Sequence, residues 1–193
     1  MASPSESAAF VLRQAQARPP TLGGGRLVCI DGPGGSGKST LAAACLADAA
    51  DDAAVVHMDD LYPGWSGLAS VGDQLETLLR PLAAGEAGSY RRYDWHEAAF
   101  AETVTVPPSS LLVVEGVGSG SQVTADLCTL LVWVTAPSEL RLSRGIERDG
   151  ELLREQWLRW RVDEEKHFAR DATFQRADVL VDGTGAERPR LRS

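Results

Sequence analysis

The chain has 193 residues, 44% of them hydrophobic and 24% charged, a length and balance that fit one globular domain and exclude a disordered chain. Nineteen basic against twenty-seven acidic residues give a net charge of −8, which speaks against a general nucleic-acid binder. No apolar run approaches the ~20 residues of a membrane span, so the expectation is a cytoplasmic protein acting on small molecules, with no nucleic-acid and no membrane partner.

In chain order, Ser3–Ala17 predicts a short amphipathic helix around Phe10 and Leu12, ended by Pro19 and Pro20; it lacks the apolar core of a secretory signal. Arg26–Asp31 (RLVCID) is a compact apolar run typical of a buried strand, and 38–50 is Ala-rich and helical. Ala53–Met58 predicts a second strand, ending at Asp59 and Asp60. A helix follows over Val71–Ala84, then a Gly/Tyr/Arg-rich loop. Leu111–Glu115 is a third strand closed by Gly116, and Leu127–Val134 a fourth. Ser138 starts a helix through Arg148, Glu151–Arg170 is helical again, and Ala177–Asp182 is a fifth strand. Cys29, Cys45 and Cys128 are an odd, scattered set that suits neither a disulfide framework nor a zinc site. Apolar strands alternating with helices predict an α/β fold: a doubly wound parallel five-stranded sheet with helices on both faces, in one domain over 1–193.

Gly32-Pro33-Gly34-Gly35-Ser36-Gly37-Lys38-Ser39 matches G-x-x-x-x-G-K-[ST] at every position, between a predicted strand and a predicted helix. Glycines let such a loop turn tightly and aim successive N–H groups at phosphate oxygens, and the helix N-terminus adds its dipole. Residues 32–40, Thr40 included, are therefore the candidate ATP cradle, with Lys38 on the β- and γ-phosphates and Ser39 as a Mg²⁺ ligand. Only two of the nineteen basic residues are Lys, Lys38 and Lys166, so a Lys at this place is informative. Asp59 and Glu115 end the second and third strands, and in an open parallel sheet those ends line the ligand crevice. Both carboxylates join Ser39 as candidate metal ligands.

At these residues the chain resembles the uridine kinase and phosphoribulokinase branch of P-loop small-molecule kinases. The matching pieces are IDGPGGSGKST (30–40), MDDLY (58–62), YRRYDW (90–95), VVEG (113–116), RLSRGIERD (141–149) and ADVLVDG (177–183). The resemblance implies transfer of the γ-phosphoryl of ATP to a hydroxyl of a small molecule, with a nucleoside as one candidate acceptor. It implies Asp59 as catalytic base, Glu115 as a magnesium holder, and an acceptor pocket lined by Tyr93, Asp94 and Trp95. Asp60, Tyr62 and Arg92 are the neighbouring acceptor-side candidates, and the choice of base between Asp59 and Asp60 stays open. Arg144 and Arg148 are implied as one side of a lid around 141–170. Their spacing of four places both on one helix face, where two guanidiniums can clamp a transferring phosphoryl group. The competing reading of that Arg-rich stretch is a solvated face of paired charges.

The chain departs from the nucleoside members after Tyr62. Their acidic segment, which holds the sugar hydroxyls, is replaced by 64–73 (GWSGLASVGD), which keeps one acid, Asp73, and gains Trp65. Aromatic residues there suit stacking on a planar ring or plugging a core, while Trp157 and Trp160, three apart on a helix, read as core. A cytidylate-type nucleoside monophosphate kinase and a nucleotide-binding regulatory ATPase are the alternative functions.

Overall fold

The structure, a computed structural model, describes residues 1–192; Ser193, the last residue of the expected domain, lies outside the described residues. The chain runs α1 (Pro4–Gln16), β1 (Arg26–Asp31), α2 (Lys38–Ala47), β2 (Ala54–His57), α3 (Val71–Ala83), β3 (Gly88–Asp94), β4 (Ala99–Val106), β5 (Leu111–Glu115), β6 (Leu130–Thr135), α4 (Ser138–Asp149), α5 (Arg154–Asp171), α6 (Thr173–Arg176), β7 (Val179–Asp182) and β8 (Arg190–Leu191). Helix α1 begins at a capping box: Ser3 Oγ accepts from Glu6 N–H at 3.1 Å and Glu6 accepts from Ser3 N–H at 2.7 Å, with Pro4 in the first turn.

The five expected strands form one parallel sheet in the order β2-β5-β1-β6-β7. Alternate residues of its strands feed two cores, as a sheet covered on both faces requires. Leu27, Cys29, Val114 and Leu131 pack with Leu75, Leu78 and Leu79 of α3 and with Trp157 and Trp160 of α5. Val28, Ile30, Val113 and Val132 pack with Ala8 and Val11 of α1 and Leu41 and Cys45 of α2. Because β1 lies between β5 and β6, the crossovers diverge at its C-terminal end and open a crevice there.

Two features differ from the sequence expectation. A sixth strand, the two-residue β8, pairs antiparallel with β7 at the sheet edge. The stretch expected as a Gly/Tyr/Arg-rich loop is the first arm of a separate antiparallel ribbon, β3-β4, with a bulge between Arg91 and Tyr93. Its second arm carries the alternation Thr103-Val104-Thr105-Val106, a β signal that a reading by loop composition passes over. The ribbon packs on α3 through Tyr90 and Val106, both buried, and its turn reaches back over the end of β2.

Candidate active site

A cleft of about 1070 Å³ opens at the C-terminal end of the parallel strands. One wall is the loop from β1 to α2. Gly35 and Gly37 hold positive φ of 75° and 104°, which L-residues rarely adopt and which this tight turn needs. Gly34, Gly35, Gly37, Lys38, Ser39 and Thr40 line the cleft. Gly32, Pro33 and Ser36 do not: Gly32 is pressed against the backbone of Val134, the Pro33 carbonyl accepts from Lys38 Nζ at 3.0 Å, and Ser36 is fully buried.

The chemical groups meet at the strand ends. Register pairs Ile30 of β1 and His57 of β2 with Glu115 at the end of β5. Glu115 Oε1 accepts from Ser39 Oγ at 2.9 Å and lies 2.7 Å from His57 Nδ1. Burial pushes the Glu115 carboxyl up, but the His57 hydrogen bond, the Lys38 charge and the Ser39 hydroxyl outweigh it, so its pKa is lowered and it stays ionised. Lys38 is itself buried, which lowers its pKa against the opposing pull of Glu115, Asp31, Glu164 and Asp59. His57 belongs to no motif, and its only signal in the sequence is its place at the end of β2.

Asp59 follows β2 in a short 3-10 turn and lines the same cleft. Its side chain is 63% open to the cleft solvent. Desolvation by the surrounding walls raises its pKa, Arg148 pulls it down and Glu115 pushes it further up. Asp60 points elsewhere: its carboxylate lies 3.4 Å from the Tyr90 hydroxyl and outside the cleft lining. The geometry thus distinguishes two carboxylates that are adjacent in sequence.

On the acceptor side the structure brings in some expected residues and not others. Trp95 lines the cleft, and its Nε1 donates to the Asp59 backbone carbonyl at 2.8 Å. Tyr62 lines it too, but its ring is buried and its hydroxyl donates to the Val117 carbonyl at 2.5 Å. Arg92, Tyr93 and Asp94 are absent from the wall. Arg92 is held by both oxygens of Glu102, at 2.7 and 3.1 Å; Asp94 accepts from the N–H groups of His96 and Glu97 and closes the ribbon turn. Tyr93 packs edge-on against Trp95 and Phe100. In their place stand Trp65, Trp157 and Trp160, with Trp65 edge-to-face on Trp95, Trp157 and Trp160 at centroid distances of 5.7, 5.8 and 6.0 Å. Trp157 and Trp160, expected as core, are buried core residues whose edges also form the cleft wall.

The two arginines expected on a lid diverge. Arg144 donates to the carbonyls of Gly35 and Gly183, at 3.2 and 3.4 Å, on the phosphate side. Arg148 grips both oxygens of Asp149 at 2.7 and 3.0 Å, stacks over Trp157 and comes within 3.9 Å of Asp59.

Among the described residues no three His, Cys, Asp or Glu side chains group as a metal site. Mg²⁺ needs no such cluster, since it takes one or two protein oxygens and completes its shell with phosphate and water. Ser39 and Glu115, a hydroxyl against an ionised carboxylate beside the glycine loop, are residues that would fit such an ion. No helix among the described residues is long and apolar enough to cross a membrane.

The model of the phosphoribulokinase / uridine kinase family matches residues 65–183, well over half of the chain. The chain belongs to this family. It is therefore a small-molecule kinase of that family, a phosphotransferase. Comparison with curated protein sequences finds no match. Among solved structures it is similar to a possible uridine kinase from Bacillus stearothermophilus, with a TM-score of 0.63 and 20% identity, covering 91% of this chain and 97% of that one. It is also similar to a D-glycerate 3-kinase from Cryptococcus neoformans var. grubii serotype A, with a TM-score of 0.55, 13% identity and 87% of each chain covered. At these identities the likeness is one of fold alone.

Proposed function

We propose that the protein transfers the γ-phosphoryl of ATP to a hydroxyl group of a neutral small molecule. The observation that carries this reading is the convergence of Lys38, the Ser39–Glu115 pair and Asp59 on one cleft at the phosphate loop. Lys38 and the loop N–H groups bind the phosphates, and 141–170 acts as the lid, presenting Arg144 to the phosphate side. Ser39 and Glu115 would hold Mg²⁺, which when bound would neutralise phosphate charge beside an already acidic wall. Asp59 accepts the proton of the acceptor hydroxyl as its oxygen attacks phosphorus and ADP departs, and its raised pKa favours that acceptance.

Neutrality of the acceptor follows from where the cations are. Arginines commonly grip a phosphate-bearing ligand through paired N–H groups, and those nearest the expected acceptor side are engaged. Arg92 is occupied by Glu102, Arg91 lies over the Phe100 ring, and Arg148 is forked onto Asp149. This supports a hydroxyl compound over a nucleoside monophosphate. The aromatic wall of Trp65, Trp95, Trp157 and Trp160 favours an acceptor with an apolar or planar face over a polyol.

The test is nucleotide turnover by the purified protein with Mg²⁺-ATP, alone and with a panel of neutral alcohols, nucleosides and nucleoside monophosphates. ADP release stimulated by a neutral hydroxyl compound is expected. Slow release that no acceptor stimulates would assign a regulatory ATPase, and stimulation confined to monophosphates would assign a nucleotide kinase.

A further inference from the structure

Glu164 is a buried carboxylate that the proposed chemistry does not use. It lies in the middle of α5 with 2% of its side chain exposed. Burial raises its pKa, while the Gly34 N–H, Lys38 and Arg141 favour its charge. Its two oxygens are assigned to different elements. Oε2 accepts from the backbone N–H of Gly34 in the phosphate loop at 2.8 Å, and Oε1 accepts from Arg141 of α4 at 3.0 Å. Arg141 is fixed in turn, since its Nε donates to the Ala136 carbonyl at 3.2 Å. Two turns earlier on α5, Trp157 reaches the same loop: a Cβ at Gly34 would lie 2.7 Å from its ring, and one at Gly145 of α4 would lie 2.5 Å from it. The loop, α4 and α5 are therefore joined at one buried point where nothing larger than glycine fits on the loop side.

A loop rich in glycine has many conformations of similar energy, and an inward-facing cradle needs one of them. A charged acceptor on a backbone N–H is among the stronger ways to select it. The Gly34 N–H is turned to α5, which leaves the donors further along the loop, toward Lys38 and Thr40, to face the cleft. We propose that Glu164 is a positioning residue that holds the phosphate loop in its phosphate-binding shape and, through Arg141, ties that shape to the arginine-bearing helix α4. Arg144, one turn further along α4, donates to Gly35 beside it. The inference rests on the reading of the loop as a nucleotide cradle.

Glu164→Gln keeps the size and one acceptor oxygen but sets an NH₂ donor against either Gly34 N–H or Arg141. The readout is the ratio of dissociation constants for AMP and ADP, measured by titration calorimetry with Mg²⁺, because the loop reads the β-phosphate that AMP lacks. In the unaltered protein ADP is expected to bind more tightly than AMP. Glu164→Gln should cut that preference at least tenfold, chiefly by weakening ADP. A role in stability alone would lower the melting temperature and leave the ratio unchanged, and an unchanged ratio overturns the inference. Gly34→Ala attacks the same joint from the loop side and should cut the ratio likewise; a folded Gly34→Ala protein with the full preference also overturns it. A wild-type protein without any preference for ADP would remove the cradle reading itself, and the inference with it.

Discussion

The two sides of the cleft are built differently. On the proposed phosphate side the wall comes from one short run of the loop and helix start, Gly34 to Thr40, and strand register delivers Glu115 to it. On the acceptor side the wall is assembled from side chains of distant segments: Trp65 before α3, Trp95 in the ribbon turn, Trp157 and Trp160 on α5. Backbone recognition tolerates little change of spacing, since the donors must stay in sequence around one anion. A wall of interlocking indoles can be rebuilt one residue at a time, so one fold can serve acceptors of different shape. The contrast predicts that substitutions on the phosphate side act on every reaction of the enzyme, and those on the acceptor side act on choice of substrate.

The largest effect is expected at Lys38. Lys38→Ala removes the loop's one side-chain cation and should lower turnover by on the order of 10³–10⁵, the range for a charge placed on a transferring phosphoryl group. Turnover within about tenfold of wild type would break the assignment of that side. Asp59→Asn comes next, with kcat reduced by roughly 10²–10⁴ and ATP affinity largely kept, as befits a group that handles a proton rather than a phosphate. Asp60→Asn serves as its control and should stay near wild type, because Asp60 faces Tyr90 and lies off the cleft wall. If the two phenotypes were exchanged, the base would be Asp60.

This asymmetry also governs what could be read in advance. The loop, both strand-end carboxylates and the five parallel strands are local patterns: eight adjacent residues, or an apolar run with an acid at its end. Glu164 is 130 positions from its partner Gly34, and no local pattern encodes that meeting. Trp157 looks like any core residue on a helix, and only the crossing of α5 over the loop turns its edge to the cleft. Asp94 is expected at the acceptor because the resemblance implies it, and Arg92 as its charged neighbour; the ribbon that consumes them, pairing Arg92 with Glu102 and wrapping Asp94 into a turn, depends on a second arm whose alternation is diluted by Ala and Glu. The twofold structural use of α4 was half legible. Spacing placed Arg144 and Arg148 on one face, but their different partners follow from where that helix ends.

Those partners give an intermediate prediction that sharpens the comparison. Arg144 contacts the phosphate loop, so Arg144→Ala should lower kcat by about tenfold to a hundredfold and raise the KM for ATP by less, if its contact strengthens as charge develops on the phosphoryl oxygens. Arg148 lies against Asp59 and Trp157, so Arg148→Ala should chiefly raise the KM for the acceptor, by several-fold. Lysine at 144 should rescue only in part, since it restores the charge without the planar fork. Steady-state kinetics with each substrate varied separates the two. Equal effects of both variants on ATP would mean that the arginines act as one clamp, and unchanged kcat in both would remove the lid.

The smallest change is one of slope, and it lies beneath the phosphate side. Asp31, fully buried at the end of β1, accepts from the N–H groups of Gly32, Gly118 and Gly120 at 2.7–2.9 Å and so ties the phosphate loop to the turn after β5. Burial lifts its pKa from 3.8 to about 6 despite the N–H groups of Gly120 and Gly32, the Lys38 charge and the Gly118 N–H, all of which favour the anion. A carboxyl with a raised folded-state pKa binds its proton more tightly folded than unfolded. Its contribution to stability is therefore greatest below pH 3.8 and falls as pH rises through about 6, by roughly 3 kcal/mol at most. This runs opposite to the usual paired carboxylate, whose stabilisation is lost on acidification. Asp31→Asn cannot titrate and turns an NH₂ toward one of the backbone donors, so it should be less stable than wild type at pH 4. As pH rises to 7 the wild type loses ground and the gap should narrow. Urea unfolding of both proteins across that range measures the gap directly. A gap that stays constant, or widens with pH, would mean that the three N–H donors outweigh burial and that the anion is the form the fold prefers.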